Sequence, residues 1–161
     1  MKKLLTLCFP LRDGKILLGM KKRGFGSGWW NGFGGKVEPN ETIEQAAVRE
    51  VHEESGITGG NLQKHGVIEF TFAHDPKILE VHVFKLTDFD GTPIESDEME
   101  PRWFEISEIP YDDMWSDDKY WLPLLLEGKM FRGSFVFDTP SDEHHVAQIV
   151  DHKLETVEHI A

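Results

Sequence analysis

The chain has 161 residues, of which 39% are hydrophobic and 11% aromatic, and its formal net charge is −12 at pH 7. This length and composition predict one globular domain over residues 1–161, because no stretch is disordered, repetitive or linker-like. The negative charge argues against long nucleic acid as a ligand, since its phosphates would be repelled, and favours free nucleotides.

The sequence carries no sign of membrane insertion or export. No apolar run is long enough to cross a membrane, and the apolar stretch before Pro10 is too short for a secretory signal. Cys8 is the only cysteine, so the chain has no internal disulfide, which fits a reducing compartment. We therefore expect a cytoplasmic protein, or a mitochondrial or nuclear one in a eukaryotic source, that contacts no membrane. We also expect a monomer.

The first predicted element is a β-hairpin. Residues 4–11 and 15–20 are apolar runs, and an Asp-Gly pair at residues 13–14 is a typical hairpin turn. The cluster KKR at residues 21–23 follows directly and is the one dense basic segment of this acidic chain. Two interpretations stay open for this cluster: a solvated turn, or a position near the phosphates of a ligand.

Residues 24–35 form a glycine-rich loop (GFGSGWWNGFGG) with aromatic residues between the glycines. Glycine lets a backbone approach a ligand closely, and Phe25, Trp29, Trp30 and Phe33 offer flat apolar surface. Such a loop alone predicts no more than a mobile surface segment. Its position just before the next helix strengthens the case for a ligand site.

The next segment predicts a helix from Ile43 to Ser55. Thr42 and Gln45 are spaced as the two partners of a capping box. Gly56 supplies the C-terminal stop, because glycine enters the left-handed conformation there without steric cost.

Three carboxylates lie on or beside the apolar face of this helix. At about 100° per residue, Glu50 and Glu54 fall inside that face and Glu53 lies at its margin. Like charges at this spacing repel, and carboxylates turned away from water are costly unless a cation compensates. Mg²⁺, with Mn²⁺ as a substitute, suits these oxygen ligands best. The alternative is a solvated acidic helix face.

Strands and an acidic loop are predicted downstream. Residues 67–73 and 78–86 have the composition of strands, with a turn around residues 74–76 (HDP). An acidic loop at residues 96–100 (SDEME) precedes a further strand at residues 102–106. On composition alone, the acidic loop is a solvated loop.

A second helix is predicted from Ser116, as its N-cap, to about Glu127. Asp117 and Asp118 then lie in the first turn, where the helix dipole favours acidic side chains. That position is a sufficient structural reason for both aspartates.

The C-terminal part predicts strands at residues 130–137 and 146–157, with a helix as the alternative for the second. His144, His145 and His152 lack the spacing of a coherent metal site and are predicted to be surface residues.

The glycine-rich loop and the first helix together carry a family pattern. Gly35, Glu41 and residues 49–57 (REVHEESGI) fill every position of the Nudix box, so this stretch resembles Nudix hydrolases. The resemblance implies an α+β protein with the Nudix fold, an α/β/α sandwich with a mixed β-sheet. It also implies a Mg²⁺-dependent hydrolase of nucleoside diphosphates linked to another group.

The resemblance implies residue roles around the box. The implied metal ligands are Gly34, through its backbone carbonyl, with Glu50, Glu53, Glu54 and Glu98. The implied catalytic residues are these four glutamates and Arg49, which holds the box glutamates by charge pairing; its spacing to Glu53 allows this. Glu54 or Glu53 is favoured as the base, with Glu98 as the rival, and attack at the α or the β phosphorus stays open.

Beyond the box, residues 4–137 resemble the MutT-like branch of the family, which hydrolyses oxidised purine nucleoside triphosphates. The segments that carry this resemblance include LLGMKKRGFG, WNGFGGKV and GTP-ESDEM, and it weakens after Asp138. It implies hydrolysis of 8-oxo-dGTP and 2-hydroxy-dATP to the monophosphate and pyrophosphate, which keeps damaged nucleotides out of DNA. The implied substrate-binding residues are Thr6, Lys21, Phe25, Asn31, Phe70, Phe72, Trp115, Asp117 and Asp118.

Two adjacent buried aspartates cannot easily both ionise, so Asp117 and Asp118 are expected to share one proton. We hypothesise that exchanging this proton lets one pocket accept both 8-oxo-dGTP and 2-hydroxy-dATP. Two other functions remain open: a Nudix enzyme for methylated purine nucleotides, ADP-ribose or a cap, and a non-catalytic nucleotide-binding module. The second is disfavoured, because such a module is expected to lose box glutamates and all are present here.

Overall fold

The structure, a computed structural model, describes residues 2–24, 27–139 and 148–160. Within these ranges eight strands form one mixed sheet: β1 Lys2–Arg12, β2 Lys15–Lys21, β3 Trp30–Asn31, β4 Asn61–Phe72, β5 Asp75–Thr87, β6 Met99–Glu105, β7 Met130–Phe137 and β8 Ile149–Val157. The two α-helices are α1 Ile43–Ser55 and α2 Asp118–Leu126. Neither is long and apolar enough to cross a membrane.

The strands follow the spatial order β3-β2-β1-β5-β4-β7-β8, and β6 pairs with β2 outside this path. β1 runs parallel to β5, and β4 runs parallel to β7, whereas the other pairs are antiparallel. The predicted mixed sheet is therefore confirmed.

The helices cover opposite faces of this sheet. Successive residues of a strand point to opposite faces. In β1, Cys8 belongs to the apolar cluster that contains Val51 of α1. Its neighbour Phe9 packs edge-on against Trp121 of α2, with ring centroids 5.7 Å apart. The sheet thus lies between two helical layers, which confirms the predicted sandwich.

Helix α1 has the predicted bounds because both of its ends are set locally. The Thr42 hydroxyl accepts the Gln45 N–H at 3.0 Å, and the Gln45 side chain accepts the Thr42 N–H at 2.8 Å. Gly56 adopts the left-handed conformation, with φ of 79°, and donates its N–H to the His52 carbonyl. This helix carries Glu50, Glu53 and Glu54, the three box glutamates.

The bounds of one predicted turn and one predicted loop need correction. The register pairs Phe72 with Asp75, so the hairpin closes at Ala73 and His74, and Asp75-Pro76 belongs to β5 instead of the turn. His74 makes this tight closure by adopting a positive φ of 58°. The acidic loop is also shorter than predicted, because β6 begins at Met99 and pairs with β2 from there.

The predicted start of α2 is wrong. Ser116 is not the N-cap: the cap position is occupied by Asp117, with helical φ of −81° and ψ of −23° and without a side-chain cap bond. The Asp117 carboxylate instead accepts the indole N–H of Trp121 at 2.7 Å. This bond turns the aspartate inward, away from the backbone N–H groups that a capping residue would bind.

The C-terminal strand is confirmed as β8, which pairs antiparallel with β7. His152 is exposed on β8, and its ring stacks on Phe135 with centroids 5.6 Å apart. The interpretation of His144 and His145 lies outside the described residues.

Candidate active site

A cleft of about 190 Å³ opens beside the end of β2, between β1, the glycine-rich loop, α1 and the segment before α2. Its lining includes seven of the predicted substrate-binding residues: Thr6, Lys21, Asn31, Phe70, Trp115, Asp117 and Asp118. Gly34 and Glu54, from the predicted metal set, also line it. Chain segments far apart in sequence therefore bring the predicted base-binding residues and a box glutamate into one cavity.

The two aspartates form a buried acidic pair in this cleft. Asp117 is 2% exposed and Asp118 is 4% exposed. Trp121 donates to Asp117 Oδ2, but Asp117 Oδ1 is buried and has no hydrogen-bond partner among the residues that the structure describes. Burial raises the pKa of Asp117. The pKa of Asp118 is raised by burial first and then by the charge of Asp117.

Asn31 is held in one orientation beside this pair. Its Oδ1 accepts the indole N–H of Trp115, and its Nδ2 donates to the Trp29 carbonyl oxygen at 2.9 Å. The Trp29 ring stacks on Trp115, with centroids 6.1 Å apart and an interplanar angle of 13°. The amide thus keeps one further donor and one further acceptor for a ligand.

The predicted apolar wall is present only in part. Phe70 lines the cleft and stacks on Phe135, with centroids 5.9 Å apart. Phe72 is not among the lining residues, because it lies one pleat further along β4 and packs on Phe137 in the core, with centroids 5.7 Å apart. Phe25 lies outside the described residues. Leu79 on β5 also lines the cleft.

The glycine-rich loop packs closely against β1 at Thr6, Gly34 and Gly35. The Thr6 N–H donates to the Gly35 carbonyl at 2.9 Å. A Cβ atom on Gly34 would lie 1.8 Å from the Thr6 carbonyl oxygen, so no other residue fits there. A Cβ atom on Gly35 would lie 2.7 Å from the carboxylate of Glu50. The glycines therefore let the loop backbone touch both β1 and the box helix.

The three box glutamates differ in environment. Glu54 is 3% exposed, and its Oε1 accepts the Gly34 N–H at 2.9 Å. Burial, and then the charge of Glu50, raise the pKa of Glu54 to about 8. Glu50 is half-buried and Glu53 is exposed, as the predicted helix phase requires.

Arg49 binds the other two glutamates and a partner that sequence reasoning missed. Its Nη1 lies 2.7 Å from Glu50 Oε1 and 3.3 Å from Glu53 Oε2. Its Nε and Nη2 donate to both carboxylate oxygens of Glu41, at 3.0 and 2.7 Å. The only sequence signal for this partner is the place of Glu41 in the box pattern. The bidentate bond fixes the guanidinium plane.

Glu98 is exposed on the loop before β6. It lies close enough to α1 for its charge to raise the pKa values of Glu50 and Glu54. Lys21 opposes this effect at Glu54.

The described residues do not form a ready-made metal cage, since no three His, Cys, Asp or Glu side chains among them converge at ligand spacing. Arg49 holds Glu50 and Glu53, and the Gly34 N–H holds Glu54, so the carboxylates are kept apart. The donor set nevertheless suits a hard divalent cation. It consists of carboxylate oxygens, one of them buried beside like charges that a cation would neutralise.

Comparison with known proteins agrees with this geometry. The family model of the NUDIX domain matches residues 1–125. The chain is 53% identical over 156 residues to the oxidized purine nucleoside triphosphate hydrolase of Danio rerio, covering 97% of this chain and 96% of that protein. It is 53% identical over 135 residues to the protein of the same name from Mus musculus, covering 84% and 86%.

Among solved structures, the mutator MutT protein of Bacillus halodurans superposes with a TM-score of 0.82 at 26% identity, covering 95% of this chain and 97% of that one. The family match spans the cleft, α1 and most of the sheet. The chain therefore belongs to the Nudix family.

Proposed function

We propose that this protein hydrolyses oxidised purine nucleoside triphosphates to the monophosphate and pyrophosphate. The observation that carries the proposal is the buried Asp117 Oδ1, which has no partner among the described residues and lies in the same cleft as Glu54. An oxidised guanine presents ring N–H and amino donors, which this oxygen and Asp118 can accept. The names of the relatives in Danio rerio and Mus musculus support the same substrate class.

The shared proton of the aspartate pair suggests how the base is read. Burial raises both pKa values, which favours one proton shared by the pair, so that one carboxyl would donate a hydrogen bond while the other accepts. Moving the proton between Asp117 and Asp118 reverses this pattern, which would admit both 8-oxo-dGTP and 2-hydroxy-dATP. Asp117→Asn fixes one pattern and should change the two activities unequally. Equal losses would count against this exchange.

A divalent cation, Mg²⁺ or Mn²⁺ in its place, would be held by Glu50, Glu53 and Glu54 with the Gly34 carbonyl, and Glu98 is a further candidate ligand. When bound, it neutralises the triphosphate and polarises the phosphorus under attack. The protein's own part is to hold the carboxylates through Arg49 and the glycine-rich loop.

Glu54 is the favoured general base, with Glu53 and Glu98 as alternatives. Its carboxylate lines the cleft and is fixed by the Gly34 N–H, which suits a group that takes a proton from the attacking water. Hydrolysis in ¹⁸O-labelled water would assign the phosphorus: label in the monophosphate indicates attack at the α phosphorus, and label in pyrophosphate indicates attack at the β phosphorus.

The deciding experiment measures pyrophosphate release with Mg²⁺ from 8-oxo-dGTP, 2-hydroxy-dATP, O6-methyl-dGTP, dGTP and ADP-ribose, with Glu54→Gln as the control. We expect strong preference for an oxidised purine triphosphate and loss of activity in the control. Preference for O6-methyl-dGTP or ADP-ribose would keep the metal site and reject the assigned base pocket.

We propose a monomer in the cytoplasm that clears damaged nucleotides before DNA polymerases use them.

A further inference from the structure

A single hydroxyl group joins the loop that carries Glu98 to the helix that carries Glu54. Ser96 Oγ donates to the Glu54 carbonyl oxygen at 3.0 Å. The same Oγ accepts the Met99 N–H at 3.1 Å and the Glu98 N–H at 3.4 Å. Ser96 therefore contacts the backbone at both of these glutamates.

The Ser96 hydroxyl can donate to the Glu54 carbonyl because this carbonyl lies in the last turn of α1. The last carbonyl groups of a helix lack partners within the helix. Here Ser96 satisfies the carbonyl of Glu54, and the N–H of Ile94 satisfies the carbonyl of Ser55 at 2.9 Å. The loop thus completes the C-terminal turn of the box helix.

The other side of the loop is bound to Lys22, the residue that follows β2. The Lys22 ammonium contacts the Glu95 carboxylate and donates to the Ser96 carbonyl at 3.0 Å. The Lys22 backbone N–H donates to the Glu98 carbonyl at 2.8 Å. These bonds do not involve the Ser96 hydroxyl, so removing it should leave the loop attached while loosening Glu98 relative to α1.

We propose that Ser96 is a positioning residue of the active site, whose hydroxyl sets the place of the Glu98 side chain relative to Glu54. This inference rests on the proposed hydrolase function and on a part for Glu98 in it. A displacement of about 1 Å in a reacting group can cost on the order of 100-fold in rate. The Ser96 hydroxyl, which is bonded to both the loop and the helix, limits the displacement of Glu98 relative to Glu54.

The first test compares kcat and KM for 8-oxo-dGTP in Ser96→Ala and Ser96→Thr. We expect Ser96→Ala to lower kcat by about 10-fold or more, because Glu98 is displaced. KM should stay within about twofold, because none of residues 94–98 is among those that line the cleft. Ser96→Thr keeps the hydroxyl and should keep most of kcat. Ser107→Ala removes an exposed serine outside the cleft and is the matched control.

A double-mutant cycle shows whether Ser96 acts through Glu98. If it does, Ser96→Ala combined with Glu98→Gln should lose no more kcat than Glu98→Gln alone. Losses that multiply, or an unchanged kcat in Ser96→Ala, would overturn the proposal. Circular dichroism and the melting temperature of each variant separate these outcomes from misfolding.

Hydrogen exchange gives a reading that does not depend on activity. In the metal-free protein, Ser96→Ala should speed exchange of the Glu98 and Met99 amides, while the Ile94 amide, bound to Ser55, is unchanged. Equal exchange of the Glu98 and Met99 amides in both proteins would reject the positioning role. A wild-type protein inactive on every nucleotide would instead reject the proposed function, and the amides would still report on Ser96.

Discussion

The indole N–H of Trp115 donates to the Oδ1 atom of Asn31. A second bond, from Asn31 Nδ2 to the Trp29 carbonyl, completes the restraint of the amide. Since Trp29 also stacks on Trp115, the three residues hold one another in place before a ligand enters. Such preorganisation lowers the entropy lost on binding and fixes which amide atoms remain available to a ligand in the cleft.

Trp115→Phe should therefore weaken base discrimination. Phenylalanine keeps an aromatic ring but loses the N–H that orients Asn31, and a lost hydrogen bond costs about 1 kcal/mol. We expect the ratio of kcat/KM for 8-oxo-dGTP over dGTP to fall several-fold, mainly through KM. Steady-state kinetics on both nucleotides measure this ratio. Trp103→Phe, in a stack with Phe89 away from the cleft, is the control.

Glu54→Gln should inactivate the enzyme and stabilise the metal-free protein. The folded-state pKa of Glu54 is about 8, above its ordinary value of 4.5. Between these pH values the folded protein binds a proton that the unfolded chain does not, so wild-type stability falls as pH rises through this window. Glutamine removes this loss and still accepts the Gly34 N–H.

Urea unfolding in a chelating buffer measures the effect of Glu54→Gln. Its free energy of unfolding should exceed that of wild type by roughly 1 to 3 kcal/mol at about pH 8, with the difference vanishing near pH 4. Glu108→Gln, an exposed site, should show no such trend. If Glu54→Gln were less stable than wild type at pH 8, ionisation of the buried Glu54 carboxyl would not be destabilising the folded protein.

Gly34→Ala should destabilise the fold more than substitution of a turn glycine. Its Cβ atom would lie 1.8 Å from the Thr6 carbonyl, so β1 and the loop must separate. We expect a loss of about 3 kcal/mol or more, together with lost activity. Gly14→Ala, where the added atom meets nothing within 4 Å but φ is +74°, should cost only about 1 to 2 kcal/mol. Equal losses in chemical denaturation would contradict this steric explanation.

Glu41→Gln should reduce stability in a pH-dependent way. The hydrogen bonds from Arg49 lower the pKa of Glu41 to about 2, from an ordinary value of 4.5. Its contribution to stability is full above about pH 4.5 and is lost as pH falls toward 2. The stability difference between wild type and Glu41→Gln should therefore shrink across this range.

Thermal unfolding at several pH values tests the Glu41 prediction. Glu105→Gln, which breaks an exposed pair with Lys15 at 3.7 Å, should show a small and flat difference. Because Arg49 also binds Glu50 and Glu53, Glu41→Gln should weaken Mn²⁺ binding, which calorimetry measures. Unchanged Mn²⁺ affinity would mean that Arg49 holds these glutamates without help from Glu41.

The sequence predicts α1 and its glutamates well because the determinants are local. Thr42, Gln45 and Gly56 act within one turn of the helix ends, and helix phase alone ranks the burial of Glu54 and Glu53. Spacing within the helix also finds the pairing of Arg49 with Glu53. It cannot find Glu41, which approaches from the preceding loop.

The second half of the site depends on contacts that local patterns miss. Helix-end rules place Asp117 and Asp118 at a solvated N-terminus, yet both are buried because Trp121 binds the first and the cleft encloses the second. A tryptophan four residues after an aspartate, with an indole N–H that needs an acceptor, is the signal that was available. Alternation along β4 likewise puts Phe70 and Phe72 on one face without telling which of them reaches the cleft.

The parallel pairing of β1 with β5 also governs when an active molecule can first exist. β1 supplies Thr6 to the cleft, yet its register runs from Lys2 beside Ile78 to Pro10 beside Leu86. During synthesis on the ribosome, the edge of β1 that pairs with β5 therefore stays unpaired until the middle of the sequence has emerged. Unpaired strand edges can bind other chains, so the nascent protein is prone to aggregation or to binding by chaperones at this stage. Asp117 and Asp118 follow later still, so most of the chain must be synthesised before the lining of the cleft is complete.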